Sequence, residues 1–251
     1  MSKTVAQRGR GLHGQVVQQL GQMIVAGEFD SQQPLVPEEI GQNFEVSRTV
    51  VRESLRVLEA KGLVSARPNV GTRVRPVSDW NLLDPDVIDW RAHGPQRQEQ
   101  MRELLELRLA VEPLGARLAA QRGSHETWTV LSHAVQMMRE TAERGDSAAF
   151  SRVHVEFHRV LLEAGGNRML HHLAGMVSVA LRMRDEYFQF DGDSCSDQIE
   201  GHGRLVDAIT DGDVEGAESL ARLLIEGKTA GVPSPLSGSR SPVFAHGAVL
   251  N

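Results

Sequence analysis

Three histidines, one isolated arginine and one cluster of hydroxyls and arginines are the residues of this 251-residue chain whose types and spacing could do chemistry. His154 and His158 are i and i+4 in the helical row Phe150, His154, Phe157, His158, Leu161. His202 lies in a second row, Ile199, His202, Val206, Ile209. Two imidazoles one turn apart, met by a third from across a bundle, can present three nitrogens to a divalent metal. The same spacing describes hydrogen-bonded core histidines, so both readings stand. Arg108 sits in the row Leu104, Arg108, Val111, Gly115, Leu118, and a guanidinium among apolar and small residues must find an anion. Either an internal carboxylate supplies it, or Arg108 clamps a ligand carboxylate with its planar fork. Ser47, Arg48, Thr49, Arg52 and Arg56 gather at the start and along one side of a helix. That combination suits phosphates and base edges. Catalytic motifs are missing: His154-Val155-Glu156-Phe157-His158 is not His-Glu-x-x-His, and there is no Gly-x-Ser-x-Gly or phosphate-cradling glycine loop. No enzyme is expected.

The elements that must position these residues fall into two groups. Apolar residues recur at helical spacing from Leu12 to Ala26, and Pro37 opens a short helix to about Phe44. A third helix starts at an N-cap, Ser47, and stops at Gly62. Val50, Leu55 and Leu58 form its apolar side, with Val51 at the edge. Leu63 to Ala66 and Thr72 to Arg75 read as strands around the turn Pro68-Asn69-Val70-Gly71. Three helices and a two-stranded wing over residues 12–76 make a winged helix-turn-helix, whose recognition helix enters the major groove. Residues 77–95 form a connector rich in apolar groups, with Asp84 and Pro85 starting a short helix to about Ala92. Such a connector packs down and couples its neighbours. Residues 96–229 show almost no period-two alternation, and helices are expected near 97–121, 125–144, 147–164, 167–190, 195–211 and 213–228. The fold class is mainly α, a winged head on an all-α bundle. Residues 1–11 read as a mobile arm and 230–251 as a disordered tail.

Charge supports a division of labour. The first 80 residues carry 10 Lys+Arg against 8 Asp+Glu, net +2, in a chain of net −6, so the remainder carries −8. A slightly basic head on an acidic body suits a DNA reader whose larger part faces other partners. The single cysteine, Cys195, excludes an internal disulfide framework and fits a reducing cytoplasm. No apolar run approaches the roughly 18 residues of a membrane helix, so a cytoplasmic protein without a membrane partner is expected.

Together the two halves resemble a GntR-type transcription regulator of the FadR/FCD subfamily, over about residues 12–228. The likeness is carried by Val46-Ser47-Arg48-Thr49-x-x-Arg52-Glu53-Ser54-Leu55, by Leu58-Glu59-x-x-Gly62-Leu63-Val64 and by Val70-Gly71-Thr72-x-Val74. The connector Asp79-Trp80-x-Leu82-Leu83-Asp84-Pro85-Asp86-Val87 is similar to regulators of sugar-acid catabolism within the subfamily. The resemblance implies DNA contacts at Ser47, Arg48, Thr49 and Arg52, with Asn69 and Gly71 adding contacts from the wing. It also implies a homodimer on a near-palindromic double-stranded operator. In the bundle it implies a divalent metal, held by Asp-x-x-x-His and two later histidines, that helps to bind a small carboxylate effector. Phe157-His158, Ala164-Gly165-Gly166-Asn167 and His202 before Leu205 match that pattern.

Two positions depart from it. His154 stands in the aspartate's place and, by count along Gly212-Asp213-x-x-x-Ala217, Leu224 stands in the last histidine's. His154, His158 and His202 are then the metal ligands that remain. Three neutral imidazoles leave the ion at +2, which favours an anion in the open position. Zinc accepts three nitrogens and one oxygen most readily, with nickel and manganese as alternatives. A metal-free site is also open, in which the three histidines and Arg108 hold the carboxylate directly. The expected function is a transcription regulator, a repressor, whose operator binding responds to a small organic acid bound in the bundle. Competing readings are a metal-dependent enzyme with an accessory winged domain and an architectural DNA-binding dimer without an effector.

Overall fold

The head is built around the apolar side of its third helix. In the computed structural model, which describes residues 11–187 and 192–227, helix α1 (Leu12–Ala26) crosses α3 (Arg48–Ala60), and α2 (Pro37–Asn43) packs beside it. The residues expected to form the arm, apart from Gly11, and the tail from 230 lie outside the described residues. Val16, Leu20 and Ile24 of α1 meet Val51, Leu55 and Leu58 of α3 in one buried cluster. Val51 rather than Val50 faces that core: Val51 is fully buried and Val50 only partly. The reading of one apolar row had placed them the other way round. The reason is the line of contact with α1, which runs along the Val51, Leu55, Leu58 edge and leaves Val50 at the margin of the cluster. Ser47 caps α3, its hydroxyl accepting from the Val50 N–H. Strands β1 (Val64–Arg67) and β2 (Gly71–Val74) pair antiparallel, Val64 opposite Val74 and Arg67 opposite Gly71. Leu35 adds one bridge to Thr72, which ties the wing to the chain ahead of α2.

The connector is packed against both halves. Trp80 is buried and its indole N–H donates to the Arg75 carbonyl at 2.9 Å. Asp84 caps helix α4 (Pro85–Ala92), accepting from the N–H groups of Asp86 and Val87. This eight-residue helix has two buried faces. Val87 and Trp90 belong to the core of the head, whereas Ile88 and Ala92 belong to a core shared with the bundle. Trp90 lies flat against α1 at Gly21, where an added Cβ would come within 2.5 Å of the indole ring. Glycine is required there by space rather than by backbone conformation. Lys61, just past the end of α3, bridges Asp84 and Asp86 at 2.8 and 2.9 Å.

The bundle comprises α5 (Arg97–Arg122), α6 (His125–Glu143), α7 (Ser147–Ala164), α8 (Arg168–Tyr187), α9 (Gly192–Thr210) and α10 (Val214–Gly227). Side-chain caps mark several starts: Ser124 for α6, Asp146 for α7, Asn167 for α8 and Asp213 for α10. Phe157, Leu161, Leu131, Met138, Leu205 and Ile209 fill the main core, while α8 packs on α4 and α5 around Leu104, Val177 and Leu181. Helix α9 starts three residues earlier than the expected 195, at Gly192. The first N–H groups of a helix have no intrahelical acceptor in any case, so a glycine there costs little.

Candidate metal centre and DNA-reading face

Two helices bring the three histidines to one point. His154 and His158 project from α7 and His202 from α9, all essentially buried. Their rings stand nearly perpendicular to one another, at 80, 83 and 88°, with centroids 4.9–5.3 Å apart. His158 Nε2 lies 3.2 Å from His154 Nε2 and 3.2 Å from His202 Nε2. One ligand atom from each ring lies within 4.8 Å of the others.

The outward nitrogens decide what those Nε2 atoms can do. His202 Nδ1 faces the Gln198 carbonyl at 2.7 Å, His158 Nδ1 faces Glu112 Oε2 at 2.5 Å, and His154 Nδ1 faces Asp185 Oδ2 at 3.1 Å. Carbonyls and carboxylates accept, so each Nδ1 carries the proton and each neutral ring keeps its Nε2 lone pair inward. Three lone pairs converging at this distance repel unless a proton or a metal ion lies between them, and the Gln198 side-chain amide reaches His154 Nε2 at 3.4 Å. Two nitrogens bound tetrahedrally at about 2.0–2.1 Å are about 3.3 Å apart, close to the spacing observed. The donor set therefore fits a divalent metal ion. Backing each metal-facing imidazole with an acceptor on its other nitrogen is also how such sites are ordinarily braced.

Behind the histidines lies a layer of buried charge that the sequence reading mostly missed. Arg108 donates to Glu112 from Nε at 2.5 Å and from Nη2 at 3.4 Å, so the internal ion pair is the partner the fold supplies. Glu112 divides its oxygens between Arg108 and His158. Burial alone would raise its carboxyl, but Arg108 and His158 outweigh that and hold it well below the usual carboxylate range. Asp185 on α8 accepts from the Ser151 hydroxyl at 2.9 Å with the same oxygen that faces His154. Arg184 meets its other oxygen at 3.1 Å. Burial lowers the Arg184 guanidinium below its ordinary value, with Asp185 opposing and the like charge of Arg108 adding to the shift. Glu112 carried a readable signal, since it stands four residues after Arg108. Asp185 carried none, because nothing in a single sequence joins α8 to α7 at that position. Leu224 packs on α9 at Gly201, beside His202, and offers no ligand.

The residues expected to contact DNA are exposed on the head. Ser47, Arg48, Thr49 and Arg52 are all exposed at the start of α3. Arg48 is held by Glu38 of α2 at 3.2 Å and Arg56 by Glu53 at 2.7 Å. Arg52 has no ion-pair partner among the described residues. In the wing, Val70 N–H bonds to Arg67 O across Pro68 and Asn69, and Asn69 has φ +61°. Proline followed by a left-handed residue is the type II pattern. Gly71 follows at φ +86°, with Pro34 against it where a side chain would stand.

Comparison with known proteins agrees with this layout. Residues 12–74 match the family described as "Bacterial regulatory proteins, gntR family", and residues 103–227 match the FCD domain. The galactonate operon transcriptional repressor of Escherichia coli is 30% identical over 216 residues, 85% of this chain and 93% of that protein. The HTH-type transcriptional regulator YieP of the same organism, itself uncharacterized, is 30% identical over 211 residues, 84% of this chain and 90% of that one. Among solved structures, a Listeria monocytogenes protein described as Lar, controlling expression of the agr system, superposes with a TM-score of 0.56. It is 18% identical, over 91% of this chain and 96% of that one, a likeness of fold.

Proposed function

We propose that this chain, which belongs to the gntR family of bacterial regulatory proteins and carries an FCD domain, is a transcriptional repressor released or engaged by a small organic acid. Residues 12–76 are the DNA-reading module, 77–95 the coupling segment and 96–229 the effector and dimerisation module. The chain acts as a cytoplasmic homodimer on a near-palindromic operator and is not an enzyme. No helix among the described residues is long and apolar enough to cross a membrane. The observation that carries the effector half is the set of three buried imidazoles whose Nε2 atoms converge while each Nδ1 is tied to an acceptor.

His154, His158 and His202 would hold the metal, zinc by donor preference. When bound, it supplies a positive centre with an open position for a carboxylate oxygen. Arg108 uses two of its five N–H donors on Glu112, and the others are available to a hydroxyl or second oxygen of the effector. A hydroxylated acid, a sugar acid or its dehydrated keto-deoxy product, fits that pairing, and the relative named for the galactonate operon points the same way. Helix α4 carries the response. A shift of α8 or α5 moves Ile88 and Ala92 and must also move Val87 and Trp90 in the head. The effector changes the spacing of two recognition helices only if it binds one dimer state more tightly than the other.

The test is operator affinity of the purified protein, zinc-loaded and chelator-treated, titrated with a panel of sugar acids and keto-deoxy acids. At least one acid is expected to shift the zinc-loaded affinity by about 5–150-fold, the usual range of such coupling. Affinity that stays flat with every acid in both metal states overturns the effector reading and leaves an architectural dimer.

A further inference from the structure

We infer that Asp185 is a positioning residue of the metal centre, a carboxylate supplied by α8 that fixes the His154 imidazole from behind. This rests on the metal reading proposed above.

His154 occupies the place where the resemblance expects a ligating aspartate. An aspartate there would bring one negative charge to the ion directly, and an imidazole brings none. Asp185 restores that charge one imidazole ring further out. Its Oδ2 accepts from His154 Nδ1 at 3.1 Å and from Ser151 Oγ at 2.9 Å, while Oδ1 is met by Arg184 at 3.1 Å. Ser151 and His154 lie on the same face of α7, three residues apart, so one carboxylate oxygen serves both. The side chain is 9% exposed and His154 is fully buried, so water cannot readily replace this acceptor. Glu112 does the same for His158 from α5, with Arg108 behind it in the place Arg184 takes behind Asp185. The centre is thus backed twice by the same unit, imidazole, carboxylate, guanidinium, from two different helices. His202 alone is backed by a backbone carbonyl, that of Gln198.

Two consequences follow from the chemistry. A carboxylate on Nδ1–H fixes the tautomer that leaves Nε2 bare and makes that nitrogen a stronger donor. And Glu112 and Asp185 lie outside the three imidazoles, so neither fills the open position meant for the effector. A purely structural role, in which Asp185 exists to neutralise Arg184, predicts that removing its charge leaves metal affinity unchanged.

Metal affinity and tautomer state separate these readings. Zinc affinity is measured by competition with a chromophoric chelator, and coordination by the visible absorption of the cobalt-substituted protein. The variants are Asp185→Asn, Asp185→Glu and Ser151→Ala, each checked for helix content and melting. Asp185→Asn is expected to lower zinc affinity about 10–100-fold and to alter the cobalt spectrum. Asp185→Glu should recover part of the loss, and Ser151→Ala should stay near wild type. Wild type that takes up no metal overturns the metal reading itself. Wild type that binds while Asp185→Asn binds equally well overturns the role given to Asp185. Should Asp185→Asn fail to fold, nitrogen NMR of the histidine-labelled, metal-free wild type decides. His154 is expected with its proton on Nδ1, and a proton on Nε2 instead overturns the inference.

Discussion

At the level of single residues, the three arginines on the recognition helix are not equivalent. Arg48 and Arg56 are each partnered by a carboxylate, while Arg52 faces solvent with no such partner among the described residues. An arginine already neutralised must give up an ion pair to meet DNA, whereas a free one presents its whole fork to guanine. Arg52→Ala is therefore expected to cost about 1–3 kcal/mol and to relax specificity at one base-pair position. Arg48→Ala should weaken all sequences alike and reduce the salt dependence by about one phosphate contact. Binding-site selection and salt titration on the two variants check this, and a swap of the two phenotypes reverses the assignment. These residues were legible because their spacing alone places them on one helix face. Glu112 and Asp185 were less so, since each acquires its role from a histidine on another helix.

Between elements, α4 is packed into both halves, and its contacts are the route of communication we propose. Its pattern was readable as a capped helix, because Asp84 and Pro85 are local signals. Its double burial was not, since which face meets which core depends on where α1 and α8 lie. Gly21→Ala tests the first face. The added methyl meets the Trp90 ring, so the variant should lose about 1–3 kcal/mol of stability by overpacking. It should also lose effector response while keeping wild-type affinity for the operator. Equal response in variant and wild type would remove Trp90 from the coupling. Lys61 tests the other end. Burial alone would lower its ammonium, but the hydrogen bonds and charges of Asp84 and Asp86 raise it above the ordinary value. A raised amine contributes stability that is fully present below its unfolded value, about 10.4, and is lost as pH climbs through the folded one. Lys61→Met should thus melt below wild type from pH 7 to 9, with the gap closing above about pH 10.4. A gap that persists in alkali would show that the ammonium charge is not what joins α3 to α4.

For the whole molecule, one recognition helix covers a single half-site, so the functional unit we propose is a pair. Light scattering is expected to give twice the 27.6 kDa chain mass. Footprinting should show two half-sites about 10–10.5 base pairs apart or a multiple of that. A single protected half-site bound by a monomer would contradict it. Fold class was the most legible feature of all, because periodicity and punctuation are local. The charged layer was the least, because it is assembled from α5 and α8 behind histidines of α7 and α9. The fit of Trp90 over Gly21 also limits how such regulators can be recombined. Heads and bundles look like interchangeable modules, yet α4 is keyed to both. A chimera spliced at Pro95 would carry this head's key intact but present Ile88 and Ala92 to a foreign lock. A splice at Pro76 would do the reverse and ask the new head for a glycine at the position of Gly21. A working sensor built from this bundle must inherit both the helix and the notch that receives it.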